Sequence, residues 1–217
     1  MTYHMQPNIG VTMHSSRRLL FLALGCMLLP PAALAQTAQP APTVRLRATI
    51  ESVSASDITL VTRGGDKVAL KLAPSVSLAW VVPTPLDTIQ PNSFIGVTAV
   101  PGDNGTLKAL EVHVFPEAMR GSGEGHRPWD LAPGSTMTNG TVGNVIVSEG
   151  RLLTVGYKGG EQTIFVPEKA PVVTYLPADT AALTKGAHVI AFAIENSDGS
   201  RTAVRISVGK DGLIPPM

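Results

Sequence analysis

Leu152-Leu153-Thr154-Val155-Gly156-Tyr157-Lys158-Gly159-Gly160-Glu161-Gln162-Thr163-Ile164-Phe165-Val166 is the stretch on which the fold turns. Two runs rich in Leu, Val, Ile and Thr, residues that fit a pleated surface, flank a Gly-Gly pair. Glycine reaches the positive φ that a tight hairpin turn requires, so the stretch reads as two antiparallel strands. The first half of the chain repeats it: Ile58-Thr59-Leu60-Val61, then Gly64-Gly65, an acid, and Val68-Ala69-Leu70.

Working outward, the match continues at an offset that slips by only one residue. Val97-Thr98-Ala99-Val100 falls on Ala191-Phe192-Ala193-Ile194, and Asn104-Gly105 on Asp198-Gly199. Ala109-Leu110-Glu111-Val112-His113-Val114 falls on Ala203-Val204-Arg205-Ile206-Ser207-Val208. A constant offset over five segments is the signature of internal duplication. Residues 44–114 form β repeat 1 and residues 138–208 form β repeat 2. Alternation in the last strand of each copy predicts one buried face (Leu110, Val112, Val114) and one wet face (Glu111, His113).

Strands are expected near 44–53, 57–62, 67–72, 94–100 and 107–114, and near 140–147, 151–157, 162–166, 187–194 and 202–208. Short helical turns are expected within 85–90 and 178–185. Three strands, a turn and two strands is the order of a five-stranded OB-type barrel, with a plain antiparallel meander as the alternative. The predicted fold is all-β: two tandem small five-stranded OB-like barrels joined by a long irregular segment, after a signal peptide.

The succession of G-x-V, a short Thr-centred strand, Gly-Gly and a last strand A-x-x-I-x-V is carried here by Gly140-Thr141-Val142, Leu153-Thr154-Val155, Gly159-Gly160 and Ala203 to Val208. It resembles a bacterial family of exported tandem OB-like domains of unknown function. The resemblance spans both copies, and repeat 1 departs from it at Arg47-Ala48-Thr49-Ile50, which lacks the glycine. It implies a fold rather than an activity. Similar chains sometimes carry the label of a metal-transporter permease component, but a permease needs several apolar spans and the sequence has none.

The first 35 residues read as an export signal. Arg17-Arg18 is a basic region, Leu19 to Leu29 an apolar run, and Ala33-Leu34-Ala35 a small-x-small cleavage site. Residues 1–12 precede the basic region, and Met13 is an alternative start. The run is shorter than the ~20 residues of a membrane span. Ser16-Arg17-Arg18 leaves twin-arginine export open beside ordinary secretion. Cleavage after Ala35 predicts a periplasmic or secreted protein, with residues 36–43 a flexible leader and 209–217 a frayed tail. Cys26, the single cysteine, leaves with the signal, so packed cores must supply the stability.

Charge excludes some partners. The chain has 17 Lys+Arg against 16 Asp+Glu, and losing Arg17 and Arg18 keeps it near neutral. Nucleic-acid binding by a barrel needs a basic groove with stacking aromatics, and that footprint is missing.

The inter-repeat segment, residues 115–137, is long for a connection within a compact domain. Gly121, Gly123 and Gly125 predict a mobile loop. Arg120, His126, Arg127, Trp129 and Asp130 form a candidate ligand or partner surface, and the plainer reading is a strap that covers an apolar edge. His113, Glu117 and His126 are ligand types used by zinc or copper, though their spacing matches no closed site. Hydrolysis is the weakest alternative: His126 could pair with Asp130 or Glu124, but no Gly-x-Ser-x-Gly elbow supplies a nucleophile. The sequence therefore points to a non-catalytic binding or structural module that meets an envelope protein or a glycan.

Overall fold

The computed structural model of the protein describes residues 43–148 and 150–217. The expected signal peptide and nearly all of the leader lie outside the described residues. Twelve strands follow in chain order: β1 Thr43–Val53, β2 Asp57–Thr62, β3 Lys67–Pro83, β4 Phe94–Pro101, β5 Leu107–Val114, β6 Gly125–Pro128, β7 Thr136–Ser148, β8 Gly150–Tyr157, β9 Gly160–Pro167, β10 Val172–Pro177, β11 His188–Glu195 and β12 Arg201–Gly209. The chain is all-β, as the sequence predicts. Gly65 and Gly159 take the positive φ expected of the two Gly-Gly turns. The helical turns are single 3-10 turns at Leu86–Thr88 and Thr180–Ala182, the second capped by Asp179, whose Oδ1 accepts from the Ala181 amide at 2.9 Å.

What the repeat pattern does not foretell is how strands are allocated. In the first barrel β1, β2 and β3 pair in antiparallel order, β11 and β12 pair with each other, and β1–β11 and β3–β12 close the ring. In the second, β7, β8 and β9 pair likewise, and the β4–β5 hairpin completes it through β4–β7 and a short parallel β5–β9 contact. Each barrel therefore takes three strands from one half of the sequence and a hairpin from the other. The expectation that residues 44–114 and 138–208 each close on themselves is corrected accordingly. The physical reason lies in β3. It does not stop at Leu72 but continues past Pro74, where the pairing with β12 slips, stays paired with β12 as far as Val81, and over Ala79 to Pro83 also meets β10. Strand β10 makes the same crossing the other way. The two meet antiparallel, Val81 opposite Tyr175, and β10 also lies parallel to β5.

Two apolar cores follow. Ile50, Ile58, Leu60, Leu70, Ile206 and Val208 fill the first barrel, with Leu183 closing one end. Ile95, Val97, Val112, Leu153, Val155 and Ile164 fill the second, with Ile89 in the corresponding place. Each fully buried Ile, Leu or Val contributes about 1.5–3 kcal/mol, which is how cores without a disulfide hold the fold. Both hairpins that cross over carry a bulge at the same point. Thr98 pairs with Glu111 while Ala99 pairs with Ala109, leaving Leu110 unpaired. Phe192 pairs with Arg205 while Ala193 pairs with Ala203, leaving Val204 unpaired. Leu110 is thus only half-buried, contrary to the alternation read from sequence.

The inter-repeat segment is less irregular than expected. After a 3-10 turn at Glu117–Met119, β6 pairs antiparallel with β7, His126 opposite Thr138. The tail is not frayed either. Leu213 packs against Val81, Val173 and Tyr175, and Pro215 is buried. Among the described residues no helix is long and apolar enough to cross a membrane.

Candidate functional site

The crossing of β3 and β10 leaves a hollow between the barrels, and the inter-repeat segment lies over it. The result is a cavity of about 330 Å³, within the size of small-ligand sites. Both barrels contribute outer faces: Gly96, His113 and Asn139 from the second, Phe192, Arg205 and Ser207 from the first. Phe115, Met119, Arg127 and Trp129 form the cover.

One wall is a buried polar chain. Thr98 Oγ1 donates to Glu111 Oε1 at 2.5 Å, Glu111 Oε2 lies 3.2 Å from His113 Nε2, and His113 Nδ1 lies 2.7 Å from the Tyr175 hydroxyl. With Glu111 accepting from Nε2–H, Nδ1 is left to accept from the phenol. Glu111 and His113 are 0% and 1% exposed, which corrects the expected wet face. Past the bulge at Leu110, Glu111 and His113 do share one face, but Thr98 and Tyr175 pack against that face where water would be. Burial pushes the Tyr175 phenol up, so it remains a protonated hydrogen-bond donor. The ring also stacks on Phe115, with centroids 5.6 Å apart.

The cover is latched by ion pairs. Asp130 forms a two-point contact with Arg47, Nη2 to Oδ1 at 2.8 Å and Nη1 to Oδ2 at 3.1 Å, and a second, close contact with Arg45. Hydrogen bonding from Arg47, with Arg45 beside it, holds the Asp130 carboxyl below the usual range. The Arg45 guanidinium sits 3.7 Å from the centre of the Trp129 ring, and Arg127 sits 5.4 Å from it. A loop closed by Trp129 N donating to Ser135 O at 2.8 Å fixes that ring. Arg47 Nε donates to the Met217 carbonyl oxygen at 2.5 Å, bringing the tail to the same cavity.

Of the five residues proposed as a surface, Arg127 and Trp129 line the cavity, and Asp130 holds them in place. Arg120 is elsewhere, paired with Glu117 at 2.6 Å and donating to Asn92 O at 2.9 Å. His126 is on the outer side of β6, bonded to Thr138 Oγ1 at 2.8 Å and stacked on Tyr157. His113, Glu117 and His126 therefore do not converge: one is engaged by Glu111 and Tyr175, one by Arg120, one by Thr138. Among the described residues no three His, Cys, Asp or Glu side chains are grouped to hold a metal ion. Nor does His126 meet either suggested carboxylate, since Asp130 turns to the arginines and Glu124 accepts from the Lys158 amide at 2.9 Å.

Sequence reasoning missed Asn139, Phe192, Arg205 and Tyr175 as partners in one site. Only one signal was available: Glu111 and Arg205, opposite charges, hold equivalent places in the two copies. Asn139 is 6% exposed; its Nδ2 donates to Ser122 O at 2.9 Å while its Oδ1 has no partner. Trp129 Nε1 is likewise buried without an acceptor. A Cβ at Gly96 would lie 2.8 Å from Asn139 Oδ1 and 3.0 Å from the Phe115 ring, so glycine lets the amide and the ring pack directly on the β4 backbone. Comparison of the chain with protein-family models, with curated proteins and with solved structures finds no match.

Proposed function

We propose that the protein is an exported, non-catalytic binding module of the cell envelope, built from a duplicated OB-like unit whose copies exchange strands. The carrying observation is the cavity between the barrels, covered by a latched segment and walled by aromatic rings with a few convergent polar groups. Buried polar atoms without partners are uncommon in folded proteins, and two of them, Asn139 Oδ1 and Trp129 Nε1, belong to residues that line this cavity. Export rests on the Arg17-Arg18, Leu19 to Leu29 and Ala33-Leu34-Ala35 succession.

Native mass spectrometry of the protein isolated from the periplasm, without chelator, tests this reading. A small-molecule adduct that disappears in the Arg127→Ala/Trp129→Ala double variant, at unchanged circular dichroism, is the expected result. A mass equal to the bare polypeptide, with equal behaviour of native and variant, would count against it.

A further inference from the structure

From the positions of Arg127, Arg205 and Asn139 around the cavity we infer that its ligand is a small organic anion, a carboxylate on a flat apolar body that also carries an N–H or O–H donor. This rests on the binding reading above and narrows it to a chemical class.

Arg127 and Arg205 both line the cavity, and neither forms an ion pair with a described carboxylate. Arg127 Nη1 donates to the Gly123 carbonyl at 2.8 Å, and its charge has no counterion. Arg205 lies over the Phe192 ring at 3.9 Å. Desolvation lowers both guanidinium groups; no acid offsets it at Arg127, and only the Tyr175 phenol does so at Arg205. The contrast with Arg45, Arg47 and Arg120 is instructive, because each of those has a carboxylate. Two uncompensated guanidinium groups around one partly dry hollow favour an anion, and a planar fork suits a carboxylate. Glu111, the carboxylate behind the wall, is already engaged by Thr98 and His113.

The rest of the wall describes the remainder of the ligand. Phe115, Phe192, Trp129 and Tyr175 line the cavity and make much of its wall apolar, which suits a flat apolar body. Asn139 Oδ1 is a buried acceptor with nothing to accept, on a residue that lines the cavity beside Gly96. A ligand donor there would remove a desolvation penalty of about 1–3 kcal/mol.

Isothermal titration calorimetry with four probes of one shape tests the inference: indole-3-acetate, its 1-methyl derivative, indole-3-acetamide and tryptamine. The expected result is that indole-3-acetate binds at least ten-fold more tightly than the amide and tryptamine. The 1-methyl compound, which lacks the ring donor, should be several-fold weaker. Arg127→Gln and, separately, Arg205→Gln should each weaken indole-3-acetate far more than the amide and so erase most of the preference for the anion. Arg127 is in the cover and Arg205 on an exposed strand face, so the two variants check each other if one folds poorly. Equal or tighter binding of the amide or tryptamine would overturn the anion class and leave the cavity as a binding site. No saturable heat with any probe at millimolar concentration would overturn both.

Discussion

The Tyr175 hydroxyl lies 2.7 Å from Nδ1 of His113, joining β10 to β5 at the point where the chain crosses between barrels. Both side chains are at least nine-tenths buried, so the bond has no water to replace it. Tyr175→Phe should cost about 1–3 kcal/mol, the price of an unsatisfied buried acceptor. Urea unfolding of Tyr175→Phe, His113→Phe and the double variant should show coupling of about 0.5–3 kcal/mol between the two sites. Additive losses would mean that the contact contributes nothing of its own.

Asp130 gives the cover a mild dependence on acidity. Its carboxyl is held below the unfolded value of about 3.9, so the latch contributes fully above that value and fades as pH falls toward the folded one. The side chain is 59% exposed, which limits the contribution to about 1 kcal/mol or less. Asp130→Asn should lower the urea midpoint slightly at pH 7, and the difference from the native protein should shrink steadily as the pH is taken below about 4. Quenching of Trp129 by acrylamide should increase in the variant at pH 7.

Gly209 is where the tail turns onto the barrels. A Cβ there would lie 1.7 Å from the Leu213 carbonyl oxygen, a backbone atom that can move only if the tail moves. Gly209→Ala should destabilise the protein by about 1–3 kcal/mol, the usual effect of overpacking. It should also expose residues 210–217 to carboxypeptidase, detectable by mass spectrometry as stepwise trimming absent from the native protein.

Strand exchange predicts how the chain responds to a cut. Gly121 and Gly123 stand in an exposed turn, and neither barrel draws its closure from that peptide bond. Cleavage there should leave one folded particle of unchanged size by gel filtration. Fragments 43–121 and 122–217, separated in denaturant, should each stay unfolded by circular dichroism and regain β structure when mixed at equal amounts. A fragment that folds alone would show that a half can satisfy its own core.

Most strands were legible because their cues are local, whereas β6, β10 and the part of β3 beyond Leu72 were not. Gly64-Gly65 and Gly159-Gly160 fix two hairpins, and the Val, Ile and Thr runs around them end close to where the strands end. Partner choice is not local. Because Val97 to Val112 and Ala191 to Ile206 carry the same apolar pattern, either hairpin could fill either barrel on pattern alone. The choice is made by β3 running past Pro74 to Pro83, and a proline inside an extended run reads in sequence as an end. Trp129, Arg127 and Asp130 were conspicuous because they interrupt a glycine-rich connection. Asn139 and Phe192 were not, since each is an ordinary outward residue of a strand until another part of the fold is set over it, and Arg205 stays an exposed residue of β12.

The exchange also sets a timetable. Strand β1 is among the first made, yet its partner β11 and the closing strand β12 are nearly the last. A ribosome releasing this chain from its N-terminus exposes β1, β2 and β3 as an open half-barrel until residues near 209 emerge. The second barrel, whose last strand ends at Pro167, can close first. Contacts so distant along the chain make for slow acquisition of structure. A polypeptide whose first core waits for residues near 209 stays threadable until they arrive, and it needs protection from aggregation for the same interval.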